Sequence, residues 1–108
     1  MKKKIDVTKI REIYNIKKTL SENLDNLWRH RIQIDRYQLV YYLDRNLAKE
    51  LEELKQEIYS LIDISLSIRQ NIKLIRSRGY SRFTSMGTIS RMIVQKREGK
   101  QEYSSSDD

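Results

Sequence analysis

The sequence predicts an all-α protein, a small helical bundle of about four to five helices. Its 108 residues include no proline and only three glycines, the first of which is Gly79. The strongest helix breakers are therefore absent from the greater part of the chain. Before Gly79 the apolar residues recur at steps of three and four, which is the spacing of one helix face. We find no internal repeat in the sequence.

The first predicted helix covers about residues 8–30, behind a frayed basic start at Lys2 to Lys4. Thr8 is its expected N-cap, and Glu12 lies near the first turn, where a carboxylate favours the helix dipole. Residues 29–35 alternate for a few positions as a short strand would. No partner strand is nearby, so a loop or helix break is favoured there.

A second helix follows, with Ser65 and Ser67 marking a bend before a further helical segment. Its apolar face holds Tyr37, Val40, Tyr41, Leu47, Leu51, Leu54, Ile58 and Leu61. A basic loop at residues 76–82 then leads to a short final helix with Met86, Ile89 and Met92. Residues 1–100 are expected to form one helical domain. Residues 101–108 form a polar tail with too little apolar surface to order itself, and we expect it to be flexible.

Positive charge is concentrated near the end of the chain. Between Arg69 and Lys100 there are nine basic residues and one acid, Glu98, a net charge of +8 (9 − 1) against +7 for the whole chain. A surface of this kind typically needs a polyanion, and nucleic acid is the first candidate. The expected RNA contacts in this segment are Arg76, Arg78, Tyr80, Arg82, Arg91 and Lys96. Local packing is the alternative for Tyr80, and pairing with acids of the second helix is the alternative for the loop arginines.

Catalytic chemistry is not indicated. The chain has no cysteine, and its one histidine, His30, lies between two arginines, which suits a solvated or phosphate-facing residue better than a base. No phosphate loop, nucleophile elbow or metal-ligand spacing occurs. No apolar run is long enough to span a bilayer. We therefore expect a cytoplasmic non-enzyme with no metal, cofactor or membrane partner.

Four tyrosines of the second helix, Tyr37, Tyr41, Tyr42 and Tyr59, are expected to form a core or subunit interface. They are more aromatic surface than one thin bundle needs, which predicts self-association or packing against a partner. Base stacking is the alternative.

Three segments carry a family resemblance. Residues 7–11 read Val-Thr-Lys-Ile-Arg, residues 39–45 read Leu-Val-Tyr-Tyr-Leu-Asp-Arg, and residues 82–100 lead from Arg-Phe through an apolar stretch to Lys100. In order and rough spacing they resemble the small helical subunit of type III-A CRISPR–Cas (Csm-type) effector complexes. That resemblance implies several copies beside the backbone subunits of a ribonucleoprotein, which contact guide RNA and target RNA without cutting either. It makes Arg11 and Arg45 candidate RNA contacts, with an ordinary surface arginine or a salt bridge as the alternative.

Two other functions stay open. A small-subunit ribosomal protein that binds rRNA is indicated by the basic segments at residues 76–78 and 89–91. A virus-encoded helical adaptor or regulator would instead bind protein through residues 37–61. Steep salt dependence is typical of RNA binding and separates it from a hydrophobic helix interface.

Overall fold

The computed structural model describes residues 6–103, and all regular secondary structure in that part of the chain is helical. The elements are α1 (Val7–Ile13), α2 (Leu20–Arg29), α3 (Arg36–Tyr42), a 3₁₀ turn (Asp44–Leu47), α4 (Ala48–Leu61), α5 (Ile68–Ser77) and α6 (Met86–Arg97). The all-α class is confirmed, with slightly more helices than expected. Lys2 to Lys4 and most of the polar tail lie outside the described residues.

The prediction of one helix over residues 8–30 is wrong, because the chain turns at residues 14–19. Thr19 caps α2 in a capping box with Glu22, so a new helix begins there. Thr8 is not the cap of α1, since the Asp6 side chain accepts the Lys9 amide instead. The expected break before α3 is confirmed, and Asp35 is the N-cap of that helix.

The chain repeats one three-helix design, which corrects the expectation of no internal repeat. Asn23 and Asn71 are both buried and hold equivalent turns. The Asn71 side chain accepts the Asp63 amide at 2.9 Å and donates to the carbonyls of Asp63, Leu66 and Ser67. The Asn23 side chain makes the same four bonds to the turn before α2.

Equivalent positions of the two units are 48 residues apart through the second helix of each (71 − 23) and 50 apart in the third (89 − 39). Arg31 and Gly79 share the positive φ that ends the second helix, at 61° and 94°. Equivalent buried residues are Ile10 and Ile58, Leu27 and Ile75, Leu39 and Ile89, and Leu43 and Ile93. The first unit comprises residues 6–47, and the second comprises residues 54–103.

Each unit has its own buried cluster. One is centred on Ile10, Leu27 and Leu39, and the other on Ile58 and Ile75. The two clusters lie along an elongated molecule of 56 × 25 × 19 Å. Its radius of gyration is 16.0 Å, whereas a compact domain of this length has about 13 Å. The chain therefore forms two small cores in tandem.

The start of the polar tail packs against the second unit, so the expectation of flexibility is wrong for Tyr103. That side chain is buried, and its ring lies 6.0 Å from the ring of Tyr59. The Gln56 side chain bonds both the amide and the carbonyl of Tyr103. Residues 104–108 lie outside the described part of the chain.

Candidate nucleic-acid interface

The loop between α5 and α6 joins the two units. Its Ser81 and Arg82 amides both donate to the Lys17 carbonyl of the first unit, at 2.9 and 3.0 Å. The Ser81 hydroxyl donates to the Glu22 carboxylate, and this bond lowers the pKa of that carboxyl. The loop expected to carry exposed binding residues therefore has a packing role.

Arg82 lies at the centre of this junction and is only 7% exposed. Its guanidinium contacts the Asp44 carboxylate at 2.9 Å and donates to the Tyr14 hydroxyl at 2.8 Å. Tyr14 donates in turn to Asp44. Burial, with a further contribution from the Asp44 bond, raises the pKa of Tyr14 to about 12. The predicted exposed position of Arg82 is wrong, because its fork of donors is occupied by the first unit.

Four cations of the second unit remain at the surface, and we name them the basic face. Arg69, Lys73 and Arg76 recur on one side of α5, and Arg78 is the C-cap of that helix. All four residues are exposed. The only side-chain hydrogen bond among them runs from Arg76 Nε to Thr84 Oγ1, at 3.2 Å. Within residues 6–103 the structure gives none of the four an ion pair.

The repeat shows that the fold does not require cations on this side of α5. The positions of the first unit that correspond to Arg69 and Lys73 hold Ser21 and Asp25. Both units nonetheless bury the same asparagine and the same aliphatic positions. The charges of the basic face are thus independent of packing, as binding residues are. The sequence block indicated the segment, but it did not separate Arg69 and Lys73 from the rest.

Lys96 was predicted to contact RNA, but its ammonium group is engaged inside the protein. It donates to the carbonyls of Tyr59, Ser60 and Ile62 at 3.0, 3.3 and 2.7 Å. These carbonyls lie at the end of α4, where a lysine satisfies groups that have no helical partner. The predicted RNA contact is therefore corrected to a structural role.

Tyr80 is half-buried beside the junction. Its hydroxyl lies 3.4 Å from a Glu57 carboxylate oxygen, and the Lys17 ammonium lies 4.9 Å from its ring centroid. Burial raises the pKa of this hydroxyl. These contacts favour the local-packing alternative. Arg91 is exposed on α6, and Arg11 is exposed in the last turn of α1.

The predicted tyrosine interface divides into a buried and an exposed part. Tyr59 is buried, and its hydroxyl donates to the Lys100 carbonyl at 2.6 Å, so its prediction as an interface residue is wrong. Tyr37, Tyr41 and Tyr42 are exposed on α3. With Arg36, Val40 and Arg45 they form what we name the aromatic face.

Within residues 6–103 there is no cluster of three His, Cys, Asp or Glu side chains able to hold a metal. No helix in the same region is long and apolar enough to cross a membrane. Comparisons with protein-family models, with curated proteins and with solved structures find no match to this chain. The similarity to the type III-A small subunit therefore stays a prediction.

Proposed function

We propose that the protein is a non-catalytic RNA-binding protein that holds the phosphate backbone through the basic face of its second unit. The observation that carries this proposal is a row of exposed cations without carboxylate partners, at positions where the first unit has serine and aspartate. The row from Arg69 to Arg76 spans about 10 Å at a rise of 1.5 Å per residue. Nucleic acid supplies several phosphates over that length.

The binding is expected to depend on charge and to be weak in sequence preference, because phosphate contacts carry no base information. If four phosphates are neutralised, the logarithm of the affinity falls with the logarithm of salt concentration with a slope of about −3. Between about 50 and 200 mM salt, that slope lowers the affinity about 60-fold.

The test compares RNA affinity, by fluorescence anisotropy across a salt series, for the natural chain and for Arg69→Gln/Lys73→Gln/Arg76→Gln. Each removed phosphate contact lowers the steepness of the slope by roughly one. We therefore expect weaker binding and a nearly flat salt dependence, with an unchanged melting temperature because these side chains are exposed.

The matched control is Lys9→Gln/Arg29→Gln/Lys49→Gln, which removes the same charge from exposed positions outside the basic face. It is expected to keep most of the affinity. If both variants lose affinity equally, the overall charge and not the basic face binds RNA. RNA affinity in the natural chain that ignores salt would contradict the proposal as a whole.

The more specific proposal is a small subunit of a type III CRISPR ribonucleoprotein, present in several copies that contact guide RNA and target RNA. An elongated helical protomer with a basic face suits a filament that holds an A-form duplex by its phosphates while base pairing reads the sequence. Purification at native salt decides this. RNA of one discrete length with further subunits supports it, whereas ribosomal particles would assign the protein to the ribosome.

A further inference from the structure

The aromatic face is a second exposed surface, in the first unit, that the phosphate contacts do not use. Tyr37 is 87% exposed and Tyr41 is 60% exposed, although both are large apolar rings. They line an open groove of about 730 Å³ together with Val40, Arg36 and Arg45. Rings left this open on a small helix indicate a binding surface.

The repeat shows that α3 does not need these rings to fold. Leu39 enters the core of the first unit just as Ile89 enters the core of the second. The positions equivalent to Tyr37 and Tyr41 are Gly87 and Arg91 (87 − 37 and 91 − 41), and both are exposed. A glycine satisfies the same place in the same fold, so the Tyr37 ring has no packing role.

The charges around the rings favour a polyanion. The Arg45 guanidinium carbon lies 5.2 Å from the Tyr41 ring centroid. Within the described residues Arg36 and Arg45 form no ion pair. The neighbouring acid, Asp44, is engaged by Arg82 at the junction. The face therefore offers aromatic surface and unpaired cations together.

Charge also separates the occupants. A second copy of this chain would bring its own charge of +7 against the same arginines. A single RNA strand brings phosphates for the arginines and flat bases for the rings, the combination that sequence-tolerant single-strand binders use. Resting on the proposed function, we propose that the aromatic face stacks unpaired bases of single-stranded RNA, with Tyr37 and Tyr41 as the stacking residues.

The experiment measures dissociation constants for one RNA strand and for the same strand annealed into a blunt duplex. Tyr37→Ala/Tyr41→Ala is expected to weaken binding of the single strand about 5- to 160-fold for each stacked base. Its affinity for the duplex should stay unchanged, because paired bases are not available for stacking. Tyr37→Phe/Tyr41→Phe keeps the flat rings and is expected to bind both RNAs as the natural chain does.

Equal single-strand affinity of the alanine variant and the natural chain would overturn this inference. If the alanine variant instead changed only the sedimentation coefficient of the free protein, the aromatic face would be a contact between copies. The two proposals fail separately. Loss of duplex binding in the basic-face variant, with no effect of the tyrosine variants, supports the phosphate site and refutes the stacking site. A natural chain that binds neither RNA refutes both.

Discussion

Replacing Arg82 by alanine is expected to destabilise the fold and to leave RNA binding nearly unchanged. The guanidinium is buried between the units and holds Asp44 and Tyr14. Its removal leaves a carboxylate without its cation in a poorly hydrated place, and breaking a buried ion pair costs about 3–5 kcal/mol. The Asp44 side chain keeps 15% exposure, so water can solvate it in part and we expect about 3 kcal/mol. For a domain of this size, that loss lowers the melting temperature by about 12–24 °C.

Thermal unfolding followed by circular dichroism and RNA anisotropy, both on the same samples, test this prediction. The matched control is Arg78→Ala, which removes an exposed arginine of the same loop and should change the free energy of unfolding by at most about 0.5 kcal/mol. Combining Arg82→Met with Asp44→Asn should recover part of the loss, because no charge is then stranded. A variant Arg82→Ala that melts with the natural chain but loses RNA affinity would refute the structural role.

Two further predictions concern the repeat and the junction. Asn71→Ala should lower the free energy of unfolding in urea by about 2–4 kcal/mol, because it strands a buried amide and carbonyls; Asn23→Ala should cost a similar amount, and a loss below about 0.5 kcal/mol in both would contradict the equivalence of the turns. The raised pKa of Tyr14, about 12 in the fold against 10.0 for an unperturbed tyrosine, means that unfolding releases its proton above pH 10. Stability from the neutral hydroxyl is therefore complete below about pH 10 and lost as pH rises towards 12. Tyr14→Phe should flatten the decline of melting temperature over this range relative to the natural chain, and an identical decline would contradict the shift.

The helical class could be predicted from the sequence because its signals are local. Absent proline and three- and four-residue apolar steps act within a few turns of chain. The same steps misled at residues 14–19, where the apolar spacing continues across a turn. The local signal for that turn was present in Thr19 and Glu22, which form a capping box, and it recurs as Ser67 and Gln70. The repeat was missed because few residues are identical between the units, although the buried asparagine and the cap chemistry recur.

The functional surfaces were predictable only in outline. Charge counting located the basic segment, but it could not separate Arg82 from Arg78, since their difference arises from contact with a residue far away in the chain, Asp44. Lys96 likewise becomes structural only because the end of α4 packs beside α6. Burial and pairing depend on tertiary contacts that composition does not record. A loop arginine in a basic stretch therefore remains ambiguous until its partners are known.

The repeat provides an internal comparison that a single sequence without relatives otherwise lacks. Where the two units agree, as at Asn23 and Asn71, a residue serves the shared fold. Where they disagree at exposed positions, the fold tolerates either residue, and the difference must have another cause. Those disagreements fall into two groups: cations on α5 in the second unit, and aromatic rings on α3 in the first. Phosphates attract the former and bases stack on the latter, so the two units have diverged towards the two halves of a nucleotide. One RNA strand satisfies both surfaces, whereas a protein partner would need separate acidic and apolar regions to do so.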